Sequence, residues 1–389
     1  MVAVPSRLAG LQLVDPQHGD GWTHERIRAA TPVPLASSPA PLEVEIAGAG
    51  RMWTLPQWLE VTHGTSLVVV HRGEVVHEWY AEDVSSSSAL LGASMTKSVL
   101  ATLVGMALRD GALDTGDRVV DHVPELAGGG YAGCTVRHLL TMTTGVDWVE
   151  DHRDPDSAAA RLLAGFAAGT GGSRDRLREI APAEPPGTRF EYCTADSQVL
   201  DWVRERATGP TYAAALAQLW TALGCEDDGW LATDAPGGVA LAGGGLAASA
   251  RDWARVAMLQ VTGTSVRGDR LLDDWWLDES CAPSEPFLVP GRLPSGITTH
   301  AGFGYHWWSL DQQGRQVTAD GSRGQFAYAD RDLDAVVVKT SRWPYDNWLV
   351  DRQLRDLSYL GLPLIARAAA GSAAPTTSTT TSTTRRHPG

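Results

Sequence analysis

The chain has 389 residues, 32 lysines and arginines against 46 aspartates and glutamates, a net charge of −14 and 43% hydrophobic residues. That balance argues against nucleic-acid or anionic-membrane partners, which need a basic stripe able to release counterions. The length is enough to bury a large core in one big or two interleaved domains.

No apolar run approaches the ~18 residues of a membrane span, and the opening MVAVPSRLAGLQLVDPQ lacks a basic start followed by an apolar stretch of about 7–15 residues. A soluble, cytoplasmic protein that is not exported is expected. Cys134, Cys193, Cys225 and Cys281 are far apart, with no CxxC pair. Four reduced, buried thiols are expected, and no metal site or cofactor.

Residues 65–80 (TSLVVVHRGEVVHEWY) form two β-branched runs around Arg72-Gly73, which predicts a hairpin. From Ser94 the pattern becomes SMTKSVLATLVGMALRDG, with Val99, Leu103 and Met106 at helical spacing. A helix of about four to five turns is expected there, stopping at Gly111. Residues 112–290 are rich in Ala, Leu and Trp and read as mostly helical. Strands return in GYHWWSLD, GQFAYAD and DAVVVKTS, the last two divided by a turn at Arg331-Asp332, and residues 349–370 read as a closing helix.

This order places a sheet part at about 40–92 and 295–370 and a mostly helical part at about 93–290, so the first and last segments should complete one antiparallel sheet. Residues 1–370 are expected to form a single domain. The low-complexity end, residues 371–389, offers nothing to bury and should be disordered.

Ser94-Met95-Thr96-Lys97 is the sharpest chemical feature, because positions i and i+3 share a helix face and bring hydroxyl and amine together. Serine needs a base to become a useful nucleophile, and a lysine can serve once burial lowers its pKa. Arginine cannot, which gives the choice of lysine here a meaning in a chain that uses arginine for all but two of its cations. A helix start also aims backbone N–H groups at a developing oxyanion.

Tyr192 ends a proline-rich loop (PAEPPGT) just before an amphipathic helix and can relay a proton, provided a nearby cation lowers its pKa. Ala319-Asp320-Gly321-Ser322-Arg323-Gly324-Gln325 opens a strand whose glycines let a substrate approach the backbone.

In this order the three elements resemble the serine hydrolases of the β-lactamase/transpeptidase-like fold: class C β-lactamases, DD-peptidases, related carboxylesterases and especially the 6-aminohexanoate-dimer (nylon oligomer) hydrolases. The resemblance spans about residues 22–365 and includes HEWY, VPEL at Val123–Leu126, HLLTMTTGVDWVEDHRDPDS, FEYCTADSQVLDWVRERATG and LDAVVVKTS. It implies an α/β (α+β) fold, an antiparallel sheet flanked by helices with a large, mostly helical insertion. The family's Ser-x-x-Lys falls on Ser94 and Lys97, its Tyr-x-Asn or Tyr-x-Ser on Tyr192-Cys193-Thr194, and its Lys-Thr-Gly on Ala319-Asp320-Gly321.

The resemblance implies catalytic roles for Ser94, Lys97 and Tyr192, and oxyanion amides from Ser94 and Ser322. Thr194, Gly321, Arg323, Gln325, His152, Trp307 and Trp308 are the expected substrate contacts, one of the two tryptophans facing the cleft and the other the core.

Departures from the family pattern bear on substrate. No lysine opens the Ala319 strand to hold a β-lactam carboxylate, which disfavours efficient β-lactamase or DD-peptidase action. Compared with the nylon-oligomer hydrolases, His152 stands at an aromatic place, Gly243-Gly244-Gly245 replaces Asn before Gly-Gly, and Arg323-Gly324-Gln325 replaces His-Gly-Gln. The expectation is a cofactor-independent serine hydrolase that forms an acyl-enzyme from a small ester or amide, as monomer or homodimer. The alternatives are β-lactamase or D-amino-acid peptidase activity, and an inactive binding protein on the same fold.

Overall fold

The computed structural model describes residues 22–152, 154–294, 297–298, 300–344 and 348–372. The amino-terminal stretch read for an export signal and the threonine-rich stretch beyond 372 lie outside the described residues.

The first strands are β1 (Thr23–Ile27), β2 (Ala36–Ser37), β3 (Glu45–Gly48), β4 (Arg51–Thr54), β5 (Gly64–His71), β6 (Glu74–Tyr80) and β7 (Leu90–Leu91). After the helical part come β8 (Gly229–Thr233), β9 (Leu246–Ala248), β10 (Gly302–Phe303), β11 (Trp308–Ser309), β12 (Gln316–Gly321), β13 (Gln325–Asp330) and β14 (Ala335–Ser341). The main sheet runs β10-β11-β12-β13-β14-β5-β6-β2, antiparallel except for the short β2–β6 pair. The two ends of the chain meet where β14 pairs with β5, with Val337 opposite Val69. Arg72 and Gly73, at φ 50° and 79°, make the tight turn between β5 and β6, whose left-handed positions match strand twist.

Both faces of the central strands are covered. Val68, Val70, Val336 and Val338 enter one core with the Met95–Arg109 and Ala250–Thr262 helices. Leu67, Val69, Ala335 and Val337 alternate into a second core against the Leu55–Val61 and Trp348–Ser372 helices. The continuous valine runs follow from burial on two faces. The Met95–Arg109 helix is buried on nearly every side, and Gly111, at φ 72°, turns the chain after it. Among the described residues no helix is long and apolar enough to cross a membrane. All four cysteines are buried and unpaired.

Two segments differ from the sequence expectation. Residues 112–290 contain strands as well as helices: β8 and β9 join β1 and β7 in a small sheet ordered β1-β8-β9-β7. Its strands are short and alanine-bearing, so long-range pairing outweighs local propensity there. GYHWWSLD is not one strand, because His306 at φ 58° and a Gly304-to-Trp307 backbone bond of 2.8 Å make a turn before β11.

Candidate active site

Strand β7 delivers the chain to a cramped turn, Gly92-Ala93, and then to Ser94 at the start of the Met95–Arg109 helix. A Cβ on Gly92 would lie 2.2 Å from the Trp253 ring, and one on Gly321 only 2.1 Å from the Gly92 carbonyl. Glycine is therefore needed at both places, and their contact sets the β12–β13 turn beside Ser94. Ala93 is left-handed at φ 45°, a conformation that costs on the order of 1 kcal/mol or more and is held by its surroundings. The amides of Met95, Thr96 and Lys97 bond back to the carbonyls of Gly92, Ala93 and Ser94.

Lys97 is 2% exposed. Its Nζ lies 3.1 Å from Ser94 Oγ, 3.1 Å from Thr194 Oγ1 and 2.6 Å from the Gly243 carbonyl. Burial lowers its pKa to about 8, while Glu150 and Cys193 pull the other way. The structure gives Gly243 a reason: a Cβ there would come within 2.9 Å of Thr194 Cγ2 and 3.4 Å of Lys97 Nζ. Gly243→Ala should therefore displace the lysine and lower ester kcat by about 10–100-fold, since misplacement near 1 Å is enough for such losses. Steady-state kinetics check this, and an unchanged kcat would show the contact to be slack.

The Ser94 hydroxyl acts on the Tyr192 phenol, drawing its pKa down against burial, and Lys97 Nζ sits 5.0 Å from its ring centroid. Trp308 stacks on that ring at 5.6 Å and 18°, and Phe303 meets it edge-on at 6.3 Å. Burial pushes the phenol well above its usual pKa, so the cation-lowered phenol expected from sequence is not what forms. Tyr192 is a neutral hydroxyl at rest.

Several expected contacts take other places. Trp307 is wholly buried in the larger core, and Trp308 is buried in the second core, where it is the one of the pair that stacks on Tyr192. Gln325 is not free for substrate: its Nε2 donates to the Arg323 and Ser341 carbonyls and its Oε1 accepts from the Ser341 amide. Gly321 serves close packing rather than open access. Ser322 is exposed, and Arg323 holds a left-handed turn position at φ 68°. Asp320 turns to the last helix, where Tyr359 donates to it at 2.6 Å and Arg355 Nε lies 3.9 Å away, and the buried Ala319 itself carries no cation.

Glu150 was passed over in the sequence, where only its place between Trp148 and His152 marks it. It is the best-connected carboxylate of the site. It accepts from Trp148 Nε1 at 2.6 Å, from the Thr194 amide at 2.9 Å and from the Thr194 hydroxyl, and it pairs with His152 Nε2 at 3.1 Å. Its contact with the Thr194 amide also places a negative charge at the N-terminus of the Thr194–Thr208 helix, a favourable end for an anion. Burial alone would raise its pKa, yet His152, Lys97 and the Thr194 hydroxyl hold it down at about 2. His152 thus faces Glu150, with its side chain 28% exposed.

A Ser-Lys-Tyr cluster at the joint of an antiparallel sheet and a helical part defines a hydrolase scaffold of the β-lactamase/transpeptidase type. The beta-lactamase family profile matches residues 59–359, and the chain belongs to that family. It is 30% identical over 335 residues to a 6-aminohexanoate-dimer hydrolase of Paenarthrobacter ureafaciens, covering 83% of this chain and 85% of that one.

A provisionally assigned 6-aminohexanoate-dimer hydrolase from Bacillus anthracis shares the fold with a TM-score of 0.75 at 21% identity, covering 92% and 93% of the two chains. A penicillin-binding-protein homologue from Caulobacter crescentus does so at 0.58 and 18%, covering 78% and 96%.

Proposed function

We propose that this hydrolase works through an acyl-enzyme on Ser94 and cleaves a small ester or short linear amide. The observation that carries the reading is Lys97 Nζ, buried and 3.1 Å from Ser94 Oγ, with its pKa lowered to about 8. Ser94 Oγ attacks the substrate carbonyl carbon while its proton passes to neutral Lys97. The carbonyl oxygen takes the negative charge beside the amides of Ser94 and Ser322, a reading supported by the close approach of Gly321 to Gly92, each next to or near one of these residues.

As the carbon–oxygen or carbon–nitrogen bond breaks, the Tyr192 hydroxyl takes the proton from Lys97 while giving its own to the leaving group, staying neutral throughout and needing no lowered pKa. Water then attacks the acyl carbonyl and gives a proton to Lys97, which passes it to Ser94 Oγ as the acyl–oxygen bond breaks, releasing the acid and restoring neutral Lys97. The rings of Tyr192, Trp308 and Phe303 offer an apolar wall to the substrate.

The named activity of the Paenarthrobacter relative supports the amide side of this reading. The absence of a cation on Ala319 disfavours a β-lactam carboxylate. Ser94→Ala should remove the burst and at least about 10³-fold of p-nitrophenyl acetate turnover, with nitrocefin and 6-aminohexanoate dimer run beside it to rank substrates. Turnover preserved in Ser94→Ala would overturn the proposal, and a protein showing neither burst nor turnover would favour a binding role.

A further inference from the structure

The Glu150 carboxylate, ionised at rest, is an acceptor only, so the hydrogen bond between it and the Thr194 hydroxyl has one direction. Thr194 has a single hydroxyl proton, and Glu150 takes it. What Thr194 Oγ1 presents to Lys97 Nζ, 3.1 Å away, is therefore a lone pair. The Gly243 carbonyl, at 2.6 Å, is also an acceptor only. A neutral lysine amine has two protons and one lone pair. Its protons go to Thr194 and Gly243, and the remaining direction, toward Ser94 Oγ at 3.1 Å, carries the lone pair.

We infer that Glu150 is a positioning residue for the reaction. By fixing the Thr194 hydroxyl as an acceptor, it leaves neutral Lys97 with a lone pair aimed at the Ser94 proton. The inference rests on the reading of Ser94 and Lys97 as the reacting pair. Without the carboxylate, the Thr194 hydroxyl is free to turn and donate to that lone pair, competing with Ser94 for it. Glu150 Oε1, which accepts from the Thr194 hydroxyl, also pairs with His152 Nε2, and Oε2 accepts from Trp148 Nε1 and the Thr194 amide, so both oxygens are held in place. The arrangement ties the loop before the Ala158–Ala168 helix to the nucleophile through Thr194 and Lys97.

The test uses Glu150→Gln, Thr194→Val, Thr194→Ser and the Glu150→Gln/Thr194→Val double variant of the full chain. Ser94 phosphonylation by a fluorophosphonate and p-nitrophenyl acetate turnover are followed at about pH 9.5, where Lys97 is mostly neutral. Glu150→Gln and Thr194→Val should each lower kcat and the labelling rate by about 30-fold, with KM within about twofold. Thr194→Ser keeps the hydroxyl and should stay within about threefold of the parent, and the double variant should lose no more than Thr194→Val alone, because both substitutions break one chain of contacts.

The inference is overturned if Glu150→Gln runs at the parental rate, if Thr194→Ser is as slow as Thr194→Val, or if the losses in the double variant multiply. Should Glu150→Gln fail to fold, the comparison of Thr194→Ser with Thr194→Val decides. Absence of Ser94 labelling in the parent protein would instead overturn the underlying reading, which separates the two failures.

Discussion

Lys97→Arg is expected to lose about 10³-fold or more in ester kcat/KM while the protein stays folded. The substitution keeps the positive charge and three or more donors, so a role for Lys97 as a fixed cation holding Ser94 would survive it. A role as proton acceptor would not, because guanidinium stays charged across the working pH range. The same logic sets the pH dependence. Burial lowers the lysine to about 8, and only the neutral amine accepts a proton, so kcat/KM should fall tenfold per pH unit below that value and level off above it. A profile flat down to pH 6 would remove Lys97 from the base role.

The second large effect concerns stability. Lys339, the only other lysine, is fully buried on β14. Its Nζ lies 5.2 Å from the Trp58 ring centroid and 5.9 Å from those of Phe326 and Trp343, and it bonds to Ser341 Oγ and, at 3.4 Å, to the Thr62 carbonyl. No carboxylate counters the burial, which lowers its pKa to about 7. The unfolded chain binds this proton below about pH 10.5, and the folded chain only below about 7.

Stability therefore rises with pH across that interval on account of Lys339, and the cost is complete below the folded value. Lys339→Met should stabilise the protein by about 3–5 kcal/mol at pH 6, an advantage that shrinks toward pH 10. Urea unfolding at several pH values measures it. Equal or lower stability of the variant at pH 6 would mean that the aromatic and hydroxyl contacts outweigh desolvation.

The two lysines share a physical condition. Both are buried where a neutral amine is tolerated, and arginine fills the exposed cationic positions of the described residues. Sequence reasoning recovered this for Lys97, since Ser-x-x-Lys spacing is a local property of one helix. The β5–β6 hairpin, β13, β14 and the closing helix were legible for the same reason: turn residues and residue periodicity act over a few positions.

What was not legible depends on partners far along the chain. Glu150 gains its importance only when Thr194 is brought against it, Gly243 only when its carbonyl meets Lys97, and Gln325 is spent on Ser341 once β13 pairs with β14. The small sheet escaped notice because β7, β8 and β9 are too short to announce themselves without one another. Trp307 and Trp308 are equivalent as a dipeptide, and the left-handed His306 fixes which of them reaches Tyr192.

Identification of the acylated residue tests the central claim most directly. The full-length protein is mixed with p-nitrophenyl butyrate, quenched in acid within milliseconds to seconds, digested, and mapped by mass spectrometry. A butyryl group on the peptide containing Ser94, fragment ions placing it on that hydroxyl and its absence from Ser94→Ala are the predicted result. Turnover with the acyl group on another residue, or with Ser94 never modified under burst conditions, would contradict the account.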